Sequence, residues 1–176
     1  MKKIPVEQIV RRLGIENPWW ENSQIPKIYR TFKHRAYLEL FYPLVESRKI
    51  RRATVLMGPR RVGKTVLLHH TIQQLIDTGV SPKRIAYFSV DHPIYNGLGL
   101  ESFLDIYSEA TGVNYLEDEC FIFFDEIRFK IYTFSILGKN LIKLLIFYIY
   151  RNFIVLKPKG NSIIIRAIAI HRNAVT

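Results

Sequence analysis

Residues 58–65 read Gly58-Pro59-Arg60-Arg61-Val62-Gly63-Lys64-Thr65, which matches the pattern G-x-x-x-x-G-K-[ST] at every position. A glycine-rich turn of this kind wraps backbone N–H groups around phosphate oxygens, and the helix after it adds the positive end of its dipole. We therefore expect the whole octapeptide to bind the phosphates of a nucleotide. Within it, Lys64 would reach the β- and γ-phosphates and act in catalysis, and the Thr65 hydroxyl would ligate Mg²⁺.

The neighbouring residues supply the setting that such a loop requires. Ala53-Thr54-Val55-Leu56-Met57 is a short apolar run and predicts a buried strand ahead of the loop. From Lys64 to Asp77 apolar residues recur at helical spacing, and Gly79 suits the position just past the helix end. A simple turn is the alternative interpretation, but the strand before it and the helix after it favour the phosphate loop.

The alternation of strands and helices continues along the chain. Residues 85–90 predict a second strand, the segment from Leu100 to Tyr107 a second helix, and residues 121–125 a third strand. Strands joined through helices by short links form right-handed parallel crossovers, with helices on both faces of the sheet. The sequence therefore predicts an α/β fold of the P-loop NTPase type, with a parallel sheet flanked by helices.

The third strand ends in two acidic residues, in the order Phe121-Ile122-Phe123-Phe124-Asp125-Glu126. This is the Walker B arrangement, in which Asp125 would hold Mg²⁺, directly or through water, and Glu126 would orient and deprotonate the attacking water. The alternative is an acidic pair that caps a core strand. Parallel sheets bind ligands outside the carboxyl ends of their strands, where the octapeptide also falls, so we favour the metal site.

Charge is unevenly distributed along the chain. The formal net charge is +11, but all 15 acidic residues lie at or before Glu126. Residues 1–127 hold 17 of the 26 Lys and Arg residues, so their net charge is only +2, from 17 minus 15. The basic excess makes DNA a candidate partner. Its concentration after residue 127 weakens that inference for the region of strands and helices.

Two further features bear on the location of the protein. The single cysteine, Cys120, has no partner for a disulfide or a metal knuckle, so the chain fits a reducing cytoplasm. The apolar run from Leu144 to Tyr150 has only seven residues, far fewer than the ~20 that a membrane-spanning helix needs. A cytoplasmic protein without a membrane partner is therefore expected.

The first 48 residues predict a helical and extended segment. The spacing of apolar residues from Val6 to Leu13 indicates an amphipathic helix that ends near Gly14. Asn17-Pro18-Trp19-Trp20 begins an extended connector, since residues before proline avoid helix, and its tryptophans suit packing against the core. Residues 35–47 predict a second helix that Pro43 kinks or ends.

Together these segments resemble a family of prokaryotic AAA-type ATPases. Besides the octapeptide, the resemblance rests on Asn17-Pro18-Trp19-Trp20, Gly79-Val80-Ser81-Pro82-Lys83-Arg84-Ile85, Asp91-His92-Pro93 and Phe123-Phe124-Asp125-Glu126-Ile127. It implies an AAA core, hydrolysis of ATP with Mg²⁺ and, in full-length members, a further C-terminal domain of unknown function, for which DNA-related roles are one expectation. The family roles carry over to Lys64, Thr65, Asp125 and Glu126. AAA domains often complete a site with a neighbour's arginine, which implies a homo-oligomer.

After Ile127 the family pattern stops, and residues 128–176 contain no acidic residue. We expect an N-terminal segment at 1–48, an AAA core at 49–127, and a divergent basic tail at 128–176 that is non-native or poorly ordered, which leaves the sheet incomplete. A frameshift or a truncation would explain the tail, and a genuine basic tail is the alternative. Phe153-Ile154-Val155-Leu156 could stand in for the missing central strand. No residue can be nominated as a sensor or an arginine finger.

Three functions follow from these observations. The first is binding of ATP with Mg²⁺ and, in full-length relatives, hydrolysis of ATP. The second is a nucleotide-gated module that binds nucleic acid, and the third is an inactive ATP-binding fragment. A small-molecule kinase also uses a P-loop, but Glu126 suits hydrolysis better than transfer to a substrate hydroxyl. Whether this chain is itself an active ATPase is left open by its sequence.

Overall fold

The computed structural model of the protein describes residues 5–47, 52–127, 152–156 and 164–169. The α-helices in these ranges are α1 (Val6–Glu16), α2 (Trp19–Asn22), α3 (Lys27–Arg30), α4 (Tyr37–Glu46), α5 (Lys64–Asp77) and α6 (Leu100–Thr111), and short 3-10 helices lie at Pro82–Arg84 and Pro93–Tyr95. The strands are β1 (Arg52–Met57), β2 (Ile85–Ser89), β3 (Phe121–Ile127), β4 (Asn152–Leu156) and β5 (Ile164–Ala169). None of the described helices is long and apolar enough to cross a lipid bilayer.

The N-terminal segment differs from its prediction in two details. Helix α1 does not end near Gly14 but continues to Glu16, where the N–H of Asn17 bonds to the carbonyl oxygens of Leu13 and Gly14. The connector was predicted to be extended, yet it contains the short helix α2. Pro18 explains this difference, because its φ of −62° suits the first turn of a helix.

The five described strands form one sheet in the order β2-β3-β4-β1-β5. β2 pairs with β3 in parallel, and β1 pairs with β5 in parallel. Helices cover both faces of this sheet, so the α/β fold of the P-loop type is confirmed.

Strand β4 is the departure from a parallel sheet. It lies between β1 and β3 and runs antiparallel to both. Its residues are those named as a stand-in for the central strand, so that position is filled rather than lost. Because of its direction, Asn152 pairs with Ile127 at the carboxyl end of β3. Strand β5 also comes from the tail and pairs with β1. The tail residues outside β4 and β5 are not among the described residues, so the expected disorder there stays a prediction.

Two apolar layers cover the sheet, one on each face. On one face α1 and α6 pack against the strands through Leu13, Phe103, Leu104, Tyr107, Phe88, Ile122 and Phe124. On the other face α2, α4 and α5 pack through Trp19, Phe41, Leu67, Leu68, Tyr87, Phe121 and Phe123. Successive residues of a strand therefore alternate between the α6 face and the α5 face. The next residue of β3 on the α5 face is Asp125.

The open side of β2 is covered by a side chain of the N-terminal segment. The Asn17 side-chain amide donates to the carbonyl oxygen of Tyr87 at 2.9 Å and to that of Leu13 at 2.8 Å. Its Oδ1 accepts from the backbone N–H of Tyr87 at 2.6 Å. Asn17 thus bonds to β2 as a neighbouring strand would, and it fixes the backbone of Tyr87.

Three more side chains continue this cover along β2. The indole N–H groups of Trp19 and Trp20 both donate to the carbonyl oxygen of Ile85, at 3.0 and 2.7 Å. The Glu16 carboxylate accepts from the N–H of Ser89 at 3.4 Å. Residues 85, 87 and 89 present their backbone N–H and carbonyl groups to the same side of β2, so the N-terminal segment bonds to every second residue of the strand. The two tryptophans pack as predicted and also satisfy the edge of the sheet.

Candidate functional site

The phosphate loop connects the end of β1 to the start of α5. Gly63 precedes the helix with a φ of 85°, in the left-handed region that favours glycine. A Cβ on Gly63 would lie 3.1 Å from a guanidinium nitrogen of Arg35, so a larger residue would also crowd that side chain. Arg61 has a φ of 64°. Left-handed residues in such a loop turn N–H groups toward a common point, where anions bind.

Lys64 folds back over the loop that precedes it. The residue is buried, and its Nζ donates to the carbonyl oxygens of Gly58 at 2.8 Å and Pro59 at 2.7 Å. Burial lowers the pKa of Lys64, whereas the charges of Asp125 and Glu126 raise it. The ammonium group is therefore held at the phosphate loop, close to both Walker B carboxylates.

The Walker B carboxylate meets the first turn of α5. Thr65 Oγ1 donates to Asp125 Oδ2 at 3.0 Å, and Tyr87 Oη donates to the same oxygen at 2.7 Å. Strand alternation accounts for this meeting, because Asp125 continues the row of β3 residues that faces α5. The two residues predicted as metal ligands therefore lie together.

The other oxygen of Asp125 suits a cation. Oδ1 is buried and has no hydrogen-bond partner among the residues that the structure describes. A buried carboxylate oxygen without a partner destabilises the folded protein, and a bound cation would remove that cost. Mg²⁺ commonly binds one or two protein oxygens together with phosphate oxygens and water. Thr65 and Asp125 can supply such a set.

The carboxyl group of Asp125 is costly to ionise in this position. Burial raises its pKa to about 7, although the hydrogen bonds from Tyr87 and Thr65 act to lower it. A nearby cation favours the ionised form of a carboxyl group. Ionisation of Asp125 and binding of a metal would therefore promote each other.

Glu126 follows in a strained backbone conformation. Its φ of 55° lies in the left-handed region, which residues other than glycine adopt rarely. The pairing of β3 with β4 shifts register between Phe124 and Ile127, so the strand bulges there. A regular strand would point successive side chains to opposite faces. With the bulge, Asp125 and Glu126 line the same cleft.

This cleft has a volume of about 460 Å³. It is lined by Arg35, Arg60, Arg61, Gly63, Lys64, Thr65, Val66, Asp125 and Glu126. Of the other predicted loop residues, Gly58 and Pro59 contribute the carbonyl oxygens that hold Lys64, and the side chain of Val62 is buried in the core. Cations and carboxylates thus share one cleft, an arrangement suited to a polyanion that carries a divalent metal.

Aromatic side chains behind the cleft support it. The ring of His69 stacks on Tyr29 with centroids 3.7 Å apart and lies 4.9 Å from the ring of Tyr87. Its Nδ1 is 2.9 Å from the carbonyl oxygen of Thr65 and donates to it. Burial lowers the pKa of His69 to about 4, so the ring is neutral at neutral pH. His69 is therefore packed rather than catalytic, and it steadies the residue that carries the Thr65 hydroxyl.

A P-loop that leads into a helix beside a strand ending in two carboxylates defines the P-loop NTPase class. Within that class the chain belongs to the AAA domain family, whose model matches residues 50–143. The match continues past Ile127, where the family pattern was predicted to stop. Membership in this family indicates an ATPase-like, nucleotide-binding role.

One relative is a protein of Methanocaldococcus jannaschii named uncharacterized protein MJ1637. It is 31% identical to this chain over 108 residues, which cover 61% of this chain and 22% of the relative. The chain therefore spans only about a fifth of the length of that protein. No solved structure matches the chain significantly.

We expect the substitution Asp125→Asn to stabilise the metal-free protein at pH 8. The pKa of Asp125 is about 7 in the folded protein and ~3.9 in an unfolded chain, so stability falls as pH rises between these values. Asparagine carries no charge to bury. The gain should be roughly 2–4 kcal/mol at pH 8 and should shrink toward zero near pH 4, as measured by chemical denaturation in EDTA.

The control for this measurement is Asp105→Asn, which alters an exposed carboxylate. His69 affects the pH dependence of stability in the opposite direction. Because its pKa is lowered in the folded protein, the free energy of unfolding falls as pH drops below ~6.5, the pKa of an unfolded histidine. This contribution is common to wild type and Asp125→Asn and cancels in their difference. A difference in stability that stays constant from pH 4 to pH 8 would contradict the raised pKa of Asp125.

Proposed function

We propose that this protein binds ATP together with Mg²⁺ and that its AAA-type domain, as in full-length relatives, hydrolyses ATP to ADP and phosphate. The supporting observation is the hydrogen bond from Thr65 Oγ1 to Asp125 Oδ2 at 3.0 Å. It brings the phosphate loop and the Walker B strand to one point. Membership in the AAA domain family supports a nucleotide as the ligand.

The phosphate loop and Lys64 would bind the triphosphate. Backbone N–H groups of the loop and the N-terminal end of the α5 dipole attract negative charge. The Lys64 ammonium would exchange its contacts with the carbonyl oxygens of Gly58 and Pro59 for β- and γ-phosphate oxygens. When bound by Thr65 and Asp125, Mg²⁺ would offset the charge that develops on the phosphates.

Glu126 is the candidate general base. In the reaction a water oxygen attacks the γ-phosphorus, the bond to the β–γ bridging oxygen breaks, and the water gives up a proton. The Glu126 carboxylate would accept that proton and orient the water beforehand. Its side chain is only half-buried and lines the cleft beside Lys64. Its left-handed backbone is the kind of strain that folded proteins keep at working sites.

The substitution Lys64→Ala should weaken ATP binding by roughly 2–4 kcal/mol, because a charge-assisted contact to phosphate is removed. Isothermal titration calorimetry in MgCl₂ measures this change. The matched control is Lys83→Ala, which removes an exposed cation at the amino end of β2, the end away from the cleft. Equal affinities of wild type and Lys64→Ala would rule out the phosphate loop as the binding site.

The substitution Glu126→Gln should leave ATP affinity within about threefold of wild type and slow phosphate release at least ~100-fold, since glutamine cannot accept the proton of the attacking water. A coupled assay of phosphate release measures the rate. Glu109→Gln is the control, because Glu109 is exposed on α6. Release at the wild-type rate by Glu126→Gln would show that another group is the base. A wild-type chain that binds ATP without releasing phosphate would favour the inactive ATP-binding fragment.

Other proposals rest on the sequence and the family alone. A kinase would show ATP consumption that depends on a hydroxyl acceptor, whereas hydrolysis would not. The proposal of DNA as a partner rests on the basic charge. The proposal of a homo-oligomer rests on the fact that AAA domains often complete a site with an arginine from a neighbouring subunit. The cytoplasmic location rests on the use of cysteine. These stay predictions beside the nucleotide site.

A further inference from the structure

Arg35 reaches the cleft from the N-terminal segment, just before α4 begins. Its guanidinium group lies against Gly63, with Nη2, Nε and Cζ at 3.1, 3.2 and 3.4 Å from the position of a Cβ on that residue. The arginine therefore packs closely against the glycine backbone, and a Cβ there would force it to shift by a few tenths of an ångström. A residue far from the loop in sequence thus forms part of the wall of the phosphate cleft.

Arg35 forms no ion pair with a carboxylate in the described part of the chain. The ion pairs Arg12–Glu16 and Arg84–Asp118 do not involve Arg35, and the Arg35 side chain makes no hydrogen bond within the described residues. Arg35 is nevertheless half-buried. A partly desolvated cation without a partner destabilises the protein, and an anion in the cleft would offset that cost.

The point at which Arg35 contacts the phosphate loop indicates which part of the ligand it would meet. In a P-loop the backbone N–H groups cradle the α- and β-phosphates, whereas the lysine reaches the β- and γ-phosphates. Arg35 lies beside Gly63, whose successors Lys64 and Thr65 open α5. A guanidinium group presents paired N–H donors that match two phosphate oxygens at once.

We propose that Arg35 binds the α- and β-phosphates of a nucleotide held by the same chain, as a second cation beside Lys64. The inference rests on the proposed binding of ATP. It assigns to the N-terminal segment a direct part in the nucleotide site, because α4, which follows Arg35, packs against α5. A bound nucleotide would then link that segment to the phosphate loop.

The test compares affinities for ATP and for ADP, each with MgCl₂, by isothermal titration calorimetry. Arg35→Ala should weaken the binding of both nucleotides by the same factor, roughly tenfold to a hundredfold, since both carry the α- and β-phosphates. Lys33→Ala removes an exposed cation from the same segment and should leave both affinities unchanged. Arg35→Lys keeps the charge without the fork and should recover only part of the loss.

Two results would overturn the inference. A loss confined to ATP would place Arg35 at the γ-phosphate, and unchanged affinities would remove it from the site. Thermal melting of each variant identifies misfolding, and if Arg35→Ala does not fold, the comparison of Arg35→Lys with wild type decides between the same outcomes. Failure of the proposed function is distinguishable. Wild type would then bind neither nucleotide, or Lys64→Ala would bind as tightly as wild type. Either result would overturn the proposed function and, with it, the role of Arg35.

Discussion

The hydrogen bond between Thr65 Oγ1 and Asp125 Oδ2 joins two parts of the chain that fold as separate elements. One partner stands in the first turn of α5, and the other stands near the end of β3. The bond forms only if β3 points Asp125 to the face that α5 covers. The pairing of Asp125 with Ser89 on β2 fixes this register, and a slip by one residue would move the carboxylate to the α6 face. The candidate site thus depends on the register of the sheet.

Several features of the site oppose the stability of the fold. Asp125 is buried with one oxygen that has no partner among the described residues, and Arg35 is a half-buried cation without a carboxylate in that same part of the chain. Glu126 and Arg61 have positive φ angles. A bound polyphosphate with a divalent cation would offset the cost of the unpaired charges and would make use of the strained backbone. The apolar layers on both faces of the sheet offset these costs in the absence of a ligand.

Local patterns predicted the main elements of the site. The glycines and Lys64 mark the loop, the bounds of α5 match those read from its apolar spacing, and the apolar run before Asp125 and Glu126 marks the strand that carries them. These features could be predicted because each depends on residues close together in the chain.

The remaining features depend on contacts between distant residues, for which the sequence has no local signal. The amide of Asn17 bonds to Tyr87, Arg35 packs on Gly63, and β4 enters the sheet antiparallel. In each case the two partners are far apart in sequence, so the contact depends on the tertiary fold. The bulge at Glu126 belongs with them, because it arises from the pairing of β3 with β4.

In the proposed site Thr65 and Asp125 together hold one metal ion on one bound nucleotide. The most direct test measures how much Mg²⁺ strengthens ATP binding in wild type, Thr65→Ala, Asp125→Asn and the double variant. One shared metal site predicts that each single substitution removes most of the Mg²⁺ effect and that the double variant loses little more. Losses that simply add, or a Mg²⁺ effect that persists in all four proteins, would contradict it.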